Sequence, residues 1–478
     1  MSSESSDGRV VATRGAWLDV QQPVPTPHVE RRLRPRRVSA ISLLFLLAVM
    51  VALIGLAVTM QATDYNLWGA FLVAPVLFLL TVPFATAAAR REGDPRIGRL
   101  ILMAAVIKLS IGTGLRYLQT TVLYKGSDAT AYIREGVLLA PQFRQWKFGD
   151  LGSLVGTRFI EVTTGLLVAL INETSLGLYV VYSWFAFVGL CLFYQAFRLA
   201  FPEGNHRRYA LLLFFWPSTL FWPSSVGKDA LMMLTLGMSA LGIANLIVGR
   251  FRGFIWLGIG TFGCVMVRPH LSLITVGGFV IALFLRRNRG SYTRLLARPI
   301  GTFILIVGMV VASLVLFAQT SSFFKLDALD FSSAQTVLDS TANQTSEGGS
   351  QFTVADPTTP LGYVEATVTI LLRPFPFELA PGLGTVASLE GVLMVGLIVV
   401  SWRRIVRIPA MMLRNAYVAF AAGYSAAFIF GFSSISNFGI LARERVQLFP
   451  VLFILFAIPK AERTPRPGLE EASGAVAV

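Results

Sequence analysis

The chain is poor in the side chains that hold metals and disulfides. Its 478 residues include only two cysteines and three histidines. Cys191 and Cys264 lie inside apolar runs with no CxxC or Cys/His spacing, and His28, His206 and His270 stand far apart, so no metal-ligand motif forms. Both cysteines read as small buried hydrophobes. No paired-acid motif for a metal appears either, and the expected chemistry needs no cofactor and no metal. An internal repeat is missing as well, which takes away the inverted-repeat argument for a secondary transporter.

Charge is scarce. Only 14% of residues are Asp, Glu, Lys or Arg, against 54% hydrophobic, and the mean hydropathy is +0.65. A soluble core of this length could not hide so much apolar surface. The composition predicts an all-α, polytopic integral membrane protein. Acids are the scarcer charge, 26 against 41 basic residues, for a net charge of +15. That excess does not indicate nucleic acid, because the basic residues sit in short clusters between apolar runs, as membrane orientation requires.

Residues 1–38 are polar and close on ERRLRPRR, which predicts a disordered basic cytoplasmic tail; 461–478 predicts a second disordered tail. The transmembrane domain is 39–460. Its first apolar run, 39–61, is too long for the core of a secretory signal and reads as an uncleaved helix. Further spans are expected at 66–89, 100–117, 175–199, 209–225, 228–248, 254–267, 271–285, 299–317, 384–401, 409–430 and 447–458, about twelve in all. The run 157–171 is too short for a span and predicts a re-entrant or interfacial helix, as does 361–372. Basic clusters on alternate connections put both termini in the cytoplasm of a bacterial inner (plasma) membrane, with outer loops near 118–156 and 319–360.

In this topology the charges that break the basic-inside rule gather on the outer side. The stretch FFWPSTLFWPSSVGKDALMML, broken by Pro217 and Pro223, places Lys228 and Asp229 between two apolar segments. Such a pair is costly unless it faces water or binds something. Capping by Ser224 or Ser225, with Lys228 snorkelling outward, is the competing reading. Asp128 and Tyr132, four apart, share a helical face, or else Asp128 is a solvated loop acid. Arg268 and His270 flank Pro269 in a tight turn. Arg373 stands in LLRPFPFE, where an interfacial anchor would also stand. Asn437, Arg443 and Arg445 precede the last span. Arginine forks and a lysine point charge suit an anionic ligand, and the few carboxylates among them suit its hydroxyl-bearing parts.

Four pieces together carry a resemblance: the D-x-x-x-Y of Asp128 and Tyr132, the P-S-x-x-x-W-P-S-S-x-x-K-D turn ending at Asp229, the R-P-H turn from Arg268 to His270, and the N-x-G-x-x-x-R-x-R-x-x-x-x-P segment from Asn437 to Pro450. This set resembles bacterial exopolysaccharide and O-antigen polymerases and the wider class of polytopic, lipid-linked-sugar glycosyltransferases (GT-C-like). The resemblance implies a donor sugar chain on polyprenyl diphosphate, a glycan acceptor and transfer at the outer face, in cell-envelope or exopolysaccharide assembly. It implies that Arg443 and Arg445, with Arg268 or Lys228, hold the diphosphate and that Asp128 is the base. The catalytic set is then Asp128, Lys228 and Asp229, and the binding set Tyr132, Arg268, His270, Arg373, Asn437, Arg443 and Arg445. Expected partners are the lipid-linked donor, the acceptor, the bilayer, and polysaccharide export or flippase components. The alternatives are a lipid-linked oligosaccharide flippase or transporter, favoured by Lys108 in mid-span, and a non-enzymatic partner in envelope assembly.

Overall fold

Apolar runs that meet no water must satisfy their own backbone, and this chain does so with helices. The structure is a computed structural model that describes residues 40–124, 127–149, 151–285, 342, 345, 351–378 and 383–459. Among these residues there is no strand, only an isolated bridge between Gln351 and Asn437. The span expected at 299–317, most of the loop at 319–360 and both tails fall outside the described residues.

By its contacts the chain divides into Met1–Ala48, described only from the start of α1 (Ala40–Ala62), and Val49–Val478, which holds everything that follows. Next come α2 (Tyr65–Glu92) and α3 (Pro95–Leu123), then α4 (Asp128–Arg144) and α5 (Thr157–Ile171). After them are α6 (Ser175–Ala200), α7 (His206–Phe215), α8 (Pro217–Phe221) and α9 (Lys228–Ile247). The remainder are α10 (Arg252–Val267), α11 (Pro269–Leu285), α12 (Pro360–Leu372), α13 (Leu383–Ile405), α14 (Ile408–Met412), α15 (Ala416–Phe432), α16 (Phe438–Glu444) and α17 (Phe449–Phe456).

Four of these helices, α2, α3, α6 and α9, are long and apolar enough to cross a membrane by length and composition. Of the other expected spans inside the described residues, 39–61 and 384–401 fall in the 23-residue helices α1 and α13, the latter carrying Glu390, Arg403 and Arg404, and the rest form shorter helices. Proline and capping residues account for several of the breaks. The run 209–225 divides into α7 and α8 because Pro217 cannot continue the helix and forces Trp216 into an extended conformation, φ −67° and ψ 131°. The run 409–430 divides at Asn415, whose side chain accepts from the amides of Tyr417 and Val418 and so starts α15. The expected outer loop 118–156 contains the 17-residue α4, which carries Asp128 and Tyr132 and packs on α5.

The core is built on α9, most of whose residues are buried; it packs against α6 on one side and α10 on another. Glycine permits this approach. A Cβ at Gly237 would collide with the carbonyl of Gly189, and one at Gly189 with the carbonyl of Met233, so the α6 and α9 backbones touch where both helices lack a side chain. At the periphery, α2 keeps Leu72, Val76, Leu79 and Leu80 exposed, and α10 keeps Ile255, Ile259 and Phe262 exposed, as lipid-facing surfaces do.

Lys108 is fully buried at the start of a π-type turn in α3. Its ammonium donates to the carbonyl of Thr219 at 2.8 Å and to Ser224 Oγ at 3.0 Å. Breaking a helix with two prolines strands carbonyls, and Lys108 satisfies them from the neighbouring helix. Thr219 does the same locally, bonding the carbonyls of Leu213 and Trp216.

Candidate functional site

The irregular turn between α8 and α9 ends at Gly227, and neither Ser224 nor Ser225 caps α9. The Ser224 hydroxyl is spent on the carbonyl of Leu220 and on Lys108. Capping therefore does not account for Asp229. Its carboxylate, 2% exposed, lies between two guanidiniums: Arg443 Nε donates to Oδ2, and Arg268 Nη2 stands 3.2 Å from Oδ1. Arg443 also reaches out, with Nη1 3.3 Å from Asp128 Oδ2. Arg268 forks onto the carboxylate of Glu444, which in turn accepts from Gln447 Nε2 at 3.2 Å. Four chain segments far apart in sequence thus share one polar cluster.

Two more cations belong to it. Lys228 is half-buried within electrostatic reach of Arg268, Arg443, Asp128 and Glu444. Arg116 comes from the end of α3, with its guanidinium over the Trp222 ring at 4.8 Å and the Phe221 ring at 5.4 Å, in the field of both Asp229 and Asp128. Four cations therefore face three carboxylates. Tyr132 is buried beside Gly227, its ring carbon 3.8 Å from where a Cβ would stand there. His270 is half-buried against the Phe432 ring, in the field of Arg268 and Lys228.

Solvent access falls steeply across the cluster. The Asp128 side chain is 65% exposed and that of Arg443 24%, whereas Asp229 is almost wholly enclosed. Around this gradient the protonation equilibria separate. Asp229 beside it raises the Arg443 guanidinium above its ordinary value, against the pull of burial. Burial pushes the Glu444 carboxyl up, and Asp229 adds to that push, against Arg268. Burial and then Asp128 raise the Tyr132 phenol. The arrangement fixes guanidiniums in a partly enclosed cluster, where they can hold an anion, and leaves one carboxylate, Asp128, open to solvent.

Arg445, Arg373 and Asn437, expected in the same site, lie elsewhere. Residues two apart on a helix point about 200° apart, so Arg443 turns toward Asp229 while Arg445 turns into the core. Arg445 is 0% exposed, with Nη2 2.8 Å from Glu390 Oε2 and Nη1 donating to the carbonyl of Arg373 at 2.6 Å. Glu390 also accepts from the amide and hydroxyl of Ser218, so it caps α8 across the bundle. Arg373 pairs with Glu378 and lies over the rings of Phe352 at 4.7 Å and Phe438 at 5.0 Å. Burial would raise Glu378, but the bonds from Arg373 and the Phe375 amide hold it below the usual carboxylate range. Asn437 caps α16, accepting from the amides of Gly439 at 2.9 Å and Ile440 at 3.3 Å. These three residues build the frame behind Arg443.

Sequence reasoning passed over Arg116, Gln447 and Glu390. Arg116 had a signal, a lone cation in the last turn of an apolar run, and so did Glu390, a lone acid inside one. Gln447 had none. Among the described residues no group of three His, Cys, Asp or Glu side chains is placed to hold a metal.

Fold and cluster define an all-helical membrane protein with a charged cluster at one end of its central helix. Comparison with family models, curated proteins and solved structures finds no match for the chain.

Proposed function

We propose that the protein is an outer-face glycosyltransferase of the polysaccharide-polymerase kind, acting on sugars carried by polyprenyl diphosphate. The observation that carries this reading is the convergence of Arg443, Arg268, Lys228 and Arg116 around buried Asp229, with Asp128 exposed beside them. In glycosyl transfer the acceptor oxygen bonds the anomeric carbon, the bond from that carbon to the diphosphate oxygen breaks, and its electron pair stays on the diphosphate. Guanidiniums already fixed in a poorly hydrated site favour that growing charge over the ground state. Asp128 takes the acceptor's proton. Asp229, held by two arginines, acts as a positioning residue that orients them; Lys228 and the solvent-facing edge of Arg443 contact the diphosphate.

The flippase alternative draws on Lys108, whose ammonium is committed to Thr219 and Ser224 and so lends that reading no support.

The test is transfer by the purified protein in lipid, with a polyprenyl-diphosphate oligosaccharide as both donor and acceptor. Wild type lengthens the glycan, while Arg443→Ala, Lys228→Ala and Asp128→Asn lose the product and keep a folded elution profile. Failure of wild type to lengthen the glycan, with labelled lipid-linked sugar changing leaflet instead, sinks the proposal in favour of a flippase.

A further inference from the structure

A second charged feature lies at the other end of α9 and stands independently of the glycosyl-transfer reading. The 20 residues of α9 rise roughly 30 Å at 1.5 Å each, so its last turn is a bundle-length away from Asp229. There a cavity of about 410 Å³ opens between α2, α6, α9 and α10. Arg91, Arg198, Arg250 and Arg252 line it, with Tyr194 and Trp256 as aromatic walls.

The charge in this cavity is largely unspent. The carboxylate of Glu92 is engaged by Arg198 at 3.2 Å, His206 at 3.0 Å and Tyr194 at 3.0 Å, and that of Asp94, within electrostatic reach of Tyr194, accepts from the Arg96 amide at 2.8 Å. Arg252 Nε donates to Asn245 Oδ1 at 3.0 Å, which fixes the stem of the guanidinium and leaves its outer nitrogens available. Among the described residues no carboxylate pairs with Arg91, Arg250 or Arg252, and all three are exposed at the rim. Convergent guanidiniums with no carboxylate between them are the arrangement that phosphate oxygens fit, by bidentate, charge-assisted hydrogen bonds.

What brings the phosphate is indicated by the neighbouring surface. From the rim, Phe251 at the N-cap of α10 and Ile255, Ile259 and Phe262 within it face the outside, each more than half exposed, at spacings that make one continuous stripe along the helix. A headgroup in the cavity would lay its acyl chains along that stripe. We propose that the cavity is a phosphate-binding site for an anionic phospholipid. Basic pockets between membrane helices favour such headgroups by electrostatic attraction in addition to hydrogen bonding.

The test uses the full chain in nanodiscs of phosphatidylcholine, with and without phosphatidylglycerol, reading lipid retained by native mass spectrometry and the unfolding temperature. Wild type retains phosphatidylglycerol over phosphatidylcholine, and R250Q/R252Q weakens that retention about thirtyfold. Arg99→Gln removes an exposed charge near the start of α3 that does not line the cavity, and it leaves retention unchanged. Should the double variant not fold, Arg91→Gln carries the same comparison from the opposite rim. A preference that survives in these variants, or that falls equally in Arg99→Gln, overturns the site. If inorganic phosphate alone raises the unfolding temperature in phosphatidylcholine discs and phosphatidylglycerol adds nothing, the lipid is overturned as the source.

Discussion

Arg443 and Arg445 are two residues apart and have opposite tasks. Arg443 lies partly open at the cluster's edge, so under the proposed glycosyl transfer Arg443→Gln should keep the fold and lower the transfer rate by about 10²–10³, as losing one fixed donor at a charge-developing oxygen does; turnover beside an unfolding curve checks both halves. Arg445 is enclosed with Glu390, and removing one partner of a buried pair leaves the other uncompensated. Arg445→Met should therefore cost about 3–5 kcal/mol, with part of the loss recovered in Arg445→Met/Glu390→Met, measured by unfolding in detergent. Glu444 supplies a pH dependence. Its folded value is raised, so the folded chain binds more protons than the unfolded chain from the ordinary 4.5 upward. Stability from this group is complete below that value and is lost as pH rises through the folded one. The unfolding temperature of wild type minus that of Glu444→Gln should accordingly fall as pH rises from 4.5, and a difference that rises instead removes the assignment.

The broken helix α7–α8 and its turn into α9 are the element on which the cluster depends, because this turn aims Lys228 and Asp229 at α16. Its stranded carbonyls are satisfied by Lys108 and Thr219, and the amide of Ser218 by Glu390, rather than by its own ladder. Lys108→Met keeps the volume but leaves the Thr219 carbonyl and the Ser224 hydroxyl without their buried donor. The expected cost is about 1–3 kcal/mol, with faster amide exchange across 219–227 and little change in α2; unchanged exchange there would show that the ammonium does not hold the turn. The α6–α9 crossing is the second element with no slack. Adding a methyl group where the two backbones touch should cost about 1–3 kcal/mol in Gly237→Ala, read from the same unfolding curves.

At the scale of the whole molecule, two charge centres sit at opposite ends of α9. Asp128→Cys and Arg250→Cys should react with a membrane-impermeant maleimide from opposite sides of sealed vesicles, and the native Cys191 and Cys264, both buried, should stay silent. Labelling of both from one side would remove the crossing of α9. The helical, membrane-embedded class was legible in the sequence, because long apolar runs with few charges inside them satisfy their backbone within the run only as helices. So was the candidacy of Lys228, Asp229, Arg268 and Arg443, since an ionised side chain among apolar residues carries a cost that something must offset, and the structure brings these four together with Asp128. Where each run breaks was only partly legible: Pro217 and Asn415 act locally, but the short helices they leave are held by contacts from elsewhere. The pairing was decided by tertiary structure alone. Nothing in the run Arg443, Glu444, Arg445 says which arginine meets Asp229 and which enters the core, because that follows from the helical rotation at α16 and from a carboxylate supplied by α13. Sequence determines the cost of each charge from its neighbours in the chain, whereas the partners that offset it are brought in from other helices by packing.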